Sequence, residues 1–312
     1  MEISRGLKMR NRRYSYFRRT WMLYLMLLLP VAFFVIFRYV PMSNIVMAFK
    51  DYNLFKGTWA SPWTEPWFKW FEKTFTAKDF YLSLRNTLML NGLDLIIGFP
   101  APIILALLMN ELPFRRYKRT TQTIVYLPYF LSWIVVTSMA KELLASNNGV
   151  INIMLSDMGF SKVDFLLDKT LWVISYVALG LWKSAGWGTV IYLAAITTIN
   201  PELYEAAEVD GASRFRKIWH VTLPGIKPTI AVLLIMSLGH MLGGEFDRPY
   251  ALRNPKVLDV GEVISTFVYT RGIKGMQFSY TAAVGLFQSV VNVLFLLGAD
   301  MLAKRAGERG IW

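Results

Sequence analysis

An all-α integral membrane protein of six spans is the fold class this sequence predicts, on three observations. The 312 residues are 54% hydrophobic and 18% charged, whereas an ordinary soluble domain carries roughly 45–50% apolar and about 25% charged residues. Six apolar runs are long enough to cross about 30 Å of hydrocarbon. The Lys and Arg residues gather in alternate connections between those runs, as the positive-inside rule requires of a multi-pass chain.

The runs lie near 21–41, 86–110, 122–142, 171–198, 228–244 and 278–302. The first is too long for a cleaved signal peptide and lacks the small-residue cleavage pattern. The fifth, "PTIAVLLIMSLGHMLGG", is short and ends in glycines, so its exit is expected to be irregular. The basic head 1–20, loop 111–120, loop 197–228 and tail 303–312 hold 18 Lys and Arg in about 72 residues; connections 41–85, 142–170 and 245–277 hold 13 in about 107. Both termini and the even loops are therefore expected on the cytoplasmic side, with 21–302 as the membrane domain.

A net charge of +13 would suggest nucleic acid on a soluble fold, but here the charge belongs to membrane topology. The absence of cysteine and the presence of two histidines argue against zinc clusters, iron–sulfur sites and thiolate catalysis. No G-x-x-x-x-G-K-[ST] phosphate loop occurs, and no Ser/His/Asp set has supporting context. No catalytic residues, metal or cofactor are therefore expected in this chain.

The most informative stretch is polar and sits between two apolar runs: "YEAAEVDGASRFRKIWHVTLPGIKP", Tyr204 to Pro228. Asn200 can cap a helix beginning at Pro201, and Glu202 and Glu205 suit its positive end. A helix 201–209 is expected. Gly211 offers the left-handed conformation that closes helices, Ser213 can cap a second helix, and Pro224 is expected to stop it. Ala206 and Ala207 would let another protein approach the backbone closely.

Glu205-Ala206-Ala207, Asp210-Gly211-Ala212, Ile218 and Leu223-Pro224 resemble the cytoplasmic "EAA" loop of the membrane subunits of ATP-binding-cassette importers. That resemblance implies a six-helix permease bundle whose loop 200–228 is a coupling helix seated on an ATPase subunit. Glu205 through Gly211 would carry the coupling, with Phe215 and Ile218 as packing support. It also implies a homologous second permease, two ATPase subunits that supply ATP and Mg chemistry, an extracytoplasmic solute-binding protein, and a bacterial inner-membrane location. The phrases "YVPMSNIVMAFKDYN", "NTLMLNGLDLIIGFPAPIILALLMNEL", "QTIVYLPYFLSWIVV" and "SYTAAVGLFQSVVNVLFLLGADMLAKR" look like the branch that carries oligosaccharides and polysaccharide fragments, alginate importers among them. The cargo expected is therefore a saccharide, with anionic fragments such as alginate among the candidates. A non-sugar cargo on the same machine, or an ion-coupled secondary transporter, are the alternatives.

Polar groups within apolar runs mark either helix pairing or a path. Lys183, between Trp182 and Trp187, is the leading path candidate, because aromatic faces stack on sugars and a lysine attracts carboxylates; a lysine lining a polar interhelical gap is the alternative. Asp94, His240, Gln288 and Asn292 are further path candidates. Gln288 and Asn292 share a helix face, and Ala283 and Gly285 favour close helix packing there. Arg38 is expected to snorkel to the headgroups, and Asp300 to form a surface i,i+4 pair with Lys304. Outside the membrane, Trp59, Trp63, Trp67 and Trp70 suit an interfacial belt or a platform for a binding protein. Loop 245–277, with Glu245, Asp247, Arg248 and Arg253, is a second candidate platform.

Overall fold

The computed structural model describes residues 19–308, 310 and 311. The basic head up to residue 18, Arg309 and Trp312 lie outside the described residues. Among the described residues, structure is almost wholly helical, and the isolated Lys50–Trp63 bridge is the one strand-like pairing. The chain divides into a unit ending at Trp70 and a larger unit from Phe71 onward.

The first unit opens with α1 (Arg19–Phe49), 31 residues long, and none of its most apolar stretch is covered by protein. It continues past the expected end at residue 41 through a π turn Val35–Tyr39, where Arg38 is exposed, and a 3-10 segment Ser43–Phe49. Beyond it Lys50 donates to the carbonyls of Thr58 (3.0 Å) and Trp59 (2.8 Å), fastening the following loop. Trp59, Trp63 and Trp67 on that loop are exposed. Trp70 instead turns inward and donates to the Lys50 carbonyl at 3.1 Å.

The second unit is built around α2 (Lys78–Asn110) and α5 (Lys169–Thr197). Between them lie α3 (Arg115–Tyr126) and α4 (Trp133–Leu144), and after them come α6 (Pro201–Val209), α7 (Arg214–Leu238), α8 (Asp247–Leu252) and α9 (Phe278–Arg305). One apolar cluster packs Leu90, Trp172, Tyr176, Val177, Leu252, Val257 and Val263 at one end of α2 and α5. A second packs Ala106, Met109, Tyr192, Leu193, Ile196 and Ile226 at the other.

Among the described residues α1, α2, α7 and α9 are long and apolar enough to cross a membrane, and α3 with α4 makes a fifth if the bent pair is one span. The fourth expected span, 171–198, falls on α5, which has the length at 29 residues but is not among those sufficiently apolar helices. Two expectations need correction. The run 122–142 is not one helix: Leu127–Phe130 is a 3-10 turn containing Pro128, Ser132 caps a new helix through Val135 N, and the halves bend by 98°. Proline removes a donor and favours such a break. Conversely, Pro224 does not stop the second helix of the polar loop. The helix widens into a π turn at Ile218–Thr222 and runs on through Pro224 and Pro228 to Leu238. A wide turn of this kind relaxes the ladder where donors are missing.

The exit of α7 is irregular, as its glycines suggest. Chain leaving a helix inside a bilayer has no water to satisfy its backbone, so protein groups must do so. Asn91 donates to the Met241 carbonyl at 2.8 Å, Gln288 donates to the Leu242 carbonyl at 2.5 Å, and Asn292 accepts from the Leu242 N–H at 2.9 Å. Three amides from α2 and α9 thus hold the break. Asn292→Leu strands the buried Leu242 donor and is expected to cost about 1–3 kcal/mol. A lowered thermal midpoint in nanodiscs would show it, and an unchanged midpoint would contradict this role.

Candidate functional site

Two cavities lie midway along α2 and α5, between the apolar clusters. The first, about 290 Å³, is lined by Asn91, Asp94, His240, Gly244, Glu245 and Arg248 among others. The second, about 250 Å³, is lined by Asp94, Tyr129, Trp133, Lys183, Glu245 and Arg248 among others. Asp94, Glu245 and Arg248 border both, so their cluster is a wall shared by the two spaces.

Each member is placed by a local feature. Asp94 opens a π turn, Asp94–Gly98, in the middle of α2. Arg248 stands on α8, brought inward by the amide-held break after α7, and is only 5% exposed. Its guanidinium bonds the Asp94 carboxylate, and its Nε lies 3.5 Å from Glu245 Oε2 without a hydrogen bond. It also rests on the Tyr176 ring, 3.8 Å from the centroid, and lies 5.2 Å from the Trp133 centroid. Buried guanidinium is tolerated only with partners of this kind. Gly180 makes the space: a Cβ there would lie 1.8 Å from Arg248 Nη1.

Lys183 faces the second cavity. It donates to the Tyr129 carbonyl at 3.0 Å and lies 5.1 Å from the centroids of both Tyr129 and Trp133. Trp187 stacks on Tyr129 with centroids 4.6 Å apart and planes 7° from parallel. Trp182 does not join them; it is exposed and borders a separate apolar groove with Ile104, Ile124 and Pro128. His240 lines the first cavity and bonds its own helix at the Met236 carbonyl.

The structure therefore brings together Asp94, Lys183 and His240 as cavity-lining groups, and places Gln288 and Asn292 at the helix break. Arg248 is buried against Asp94 rather than standing on an outer platform, and Glu245, which is exposed, borders both cavities. Tyr129 and Trp133 escaped the sequence reading, although the proline-broken "LPYFLSW" that carries them was visible. Asp300 is not a surface residue either. It is buried, accepts from Ile311 N at 2.7 Å and pairs with Lys304 at 2.8 Å.

The polar hairpin has its expected caps. Asn200 accepts from Glu202 N, Ser213 accepts from Arg216 N, and Gly211 has φ +71°. Glu205, Ala206 and Asp210 are exposed, while Ala207 and Ile218 are partly covered. Phe215 is no packing support, being 84% exposed; with Leu203, Val209 and Trp219 it leaves apolar surface uncovered. Tyr204 OH meets Thr222 Oγ1 at 3.0 Å and Lys217 bonds Glu208 at 2.6 Å, tying α6 to the foot of α7. Lys217 holds the Glu208 carboxyl below its ordinary range.

Gly180→Ala overfills the site and is expected to cost about 1–3 kcal/mol, displacing Arg248. Gly298→Ala, where a Cβ meets nothing within 4 Å, is the control. Equal thermal midpoints for the two would refute the close approach.

Comparison with known proteins agrees with this architecture. A permease of Bacillus subtilis strain 168 called the polygalacturonan/rhamnogalacturonan transport system permease protein YteP is 46% identical over 290 residues, covering 93% of this chain and 90% of its own. Protein LplB of the same organism is 43% identical, covering 95% and 92%. A crystal structure of a bacterial ABC transporter involved in import of the acidic polysaccharide alginate contains a chain 40% identical, with TM-score 0.86 over 94% of this chain and 99% of that one. A second, of the alginate ABC transporter with an alginate pentasaccharide-bound periplasmic protein, gives TM-score 0.87 over 96% and 99%. Residues 98–308 match the family of binding-protein-dependent transport system inner membrane components, and the chain belongs to that family: it is a multi-pass permease subunit of an ABC importer.

Proposed function

We propose that this permease forms half of a translocation path for acidic oligosaccharides, fragments of polysaccharides rich in uronic acid. The observation that carries the reading is the second cavity, where Lys183 and Arg248 meet the rings of Tyr129 and Trp133. Cations on aromatic walls suit a sugar ring bearing a carboxylate. The relatives named for polygalacturonan/rhamnogalacturonan and alginate transport support the same class.

A homologous permease completes the path, two ATPase subunits dock below, and a saccharide-binding protein delivers cargo from the extracytoplasmic face. Both termini and the hairpin face the cytoplasm, consistent with the Lys and Arg distribution. Six spans cross the bacterial inner membrane, α5 among them despite its polar midpoint. The hairpin face of Glu205, Ala206, Asp210 and Phe215, with the partly covered Ala207 between them, seats in the ATPase, with Gly211 setting the turn and Ile218, Leu223 and Pro224 leading into α7. ATP binding draws the ATPases together, the hairpins follow, and the two bundles turn outward; hydrolysis resets them.

Gly211→Pro tests the coupling. Proline fixes φ near −65° and has no N–H, whereas Gly211 has φ +71° and donates to the Glu208 carbonyl at 3.0 Å. The variant assembly is expected to lose at least about tenfold of its cargo-stimulated ATPase; normal stimulation would remove the hairpin from coupling. Lys183→Ala tests the cargo. Stimulation by acidic oligosaccharides is expected to fall while that by neutral ones persists, and equal loss for both would make Lys183 structural.

A further inference from the structure

Four charged residues face the shared wall and its cavities: Lys183, Arg248, Asp94 and Glu245. Their formal charges sum to zero. A carboxylate brought to a neutral, mostly buried site gains little unless it replaces an anion already there, because each added buried charge carries a desolvation cost. Arg248 has such an anion. Asp94 bonds it from a π turn at the midpoint of α2, and the Glu245 carboxylate lies 3.5 Å from its Nε.

The geometry also leaves room for exchange. Asp94 is met through Nη1 and Nη2, while the buried Nε makes no hydrogen bond and has the Glu245 carboxylate 3.5 Å away, so Asp94 does not fill the donor capacity of the guanidinium. Its guanidinium also lies on Tyr176 and beside Trp133, contacts that do not involve Asp94. Trp133 is shared with Lys183, so a sugar against that ring would meet both cations.

We infer that Arg248 is a carboxylate-binding site for the cargo and that Asp94 is its built-in stand-in, occupying Arg248 when the path is empty and yielding it to a uronate carboxylate during passage. The inference rests on the acidic-saccharide reading and adds to it a named site and a release device. Asp94 reclaims Arg248 as the sugar leaves, so the site does not hold its cargo. Breaking the pair also opens the wall between the cavities.

The test is equilibrium binding of trigalacturonate and of its methyl ester to the assembled importer in nanodiscs, locked with a non-hydrolysable ATP analogue and without binding protein. Wild type is expected to prefer the acid. Asp94→Asn is expected to tighten acid binding about tenfold and leave the ester unchanged, since a charge-assisted bond no longer has to be displaced. Arg248→Gln, and the double variant with Asp94→Asn, which removes both charges of the pair, are expected to lose about tenfold of the acid preference, leaving only the part that Lys183 supplies. Equal weakening of both ligands by Asp94→Asn, or an acid preference in the double variant undiminished from wild type, overturns the exchange. A wild type that does not prefer the acid overturns the cargo reading and the site with it.

Discussion

The interaction on which this architecture depends is the ion pair between Asp94 and Arg248. A carboxylate in the middle of a 33-residue apolar helix is tolerable only with a partner. The partner stands 154 residues away in sequence and reaches it because the chain after α7 turns back into the bundle. Removing one member of such a pair leaves an uncompensated buried charge, typically worth about 3–5 kcal/mol. The pair fixes where α8 sits, and α8 in turn closes the apolar cluster of Leu252, Trp172 and Tyr176.

Holding that returning chain is the task of polar residues that interrupt apolar spans. On α2, Asn86 donates to the carbonyls of Asp259 and Glu262 at 3.1 and 3.0 Å, and Thr87 accepts from Ile264 N at 2.9 Å. Asn91 follows one turn later at Met241. Residues 86, 87, 91 and 94 therefore read as backbone anchorage that ends in the charged site, with Gln288 and Asn292 completing it from α9. Polar side chains in a membrane helix here replace the water that irregular backbone would otherwise need.

Local chemistry was legible in the sequence, and distant pairing was not. Asn200, Gly211 and Ser213 act through their nearest neighbours, so the caps and turn of the hairpin could be placed from residue type alone. Pro128 and Ser132 carry an equally local signal, but counting apolar residues passes over it, and the bend there was missed. Phe215 shows the opposite failure: its apolar character suggested packing, whereas its position on a short exposed turn leaves it uncovered. Arg248 looked like an outer-loop charge because nothing near it in sequence reveals Asp94. The glycines ending α7 signalled only that the chain would turn, not where it would go.

One helix joins the two functional regions. α7 begins at the hairpin, where Thr222 meets Tyr204, and ends at Leu238 beside the first cavity, which is the continuous route that the proposed coupling requires. The most direct measurement is the structure of the assembled importer, held with an ATP analogue and loaded with an acidic oligosaccharide. A uronate carboxylate about 3 Å from the Arg248 guanidinium, with Asp94 released, is the expected result. A sugar bound elsewhere in the path, with Asp94 and Arg248 still paired, would contradict it.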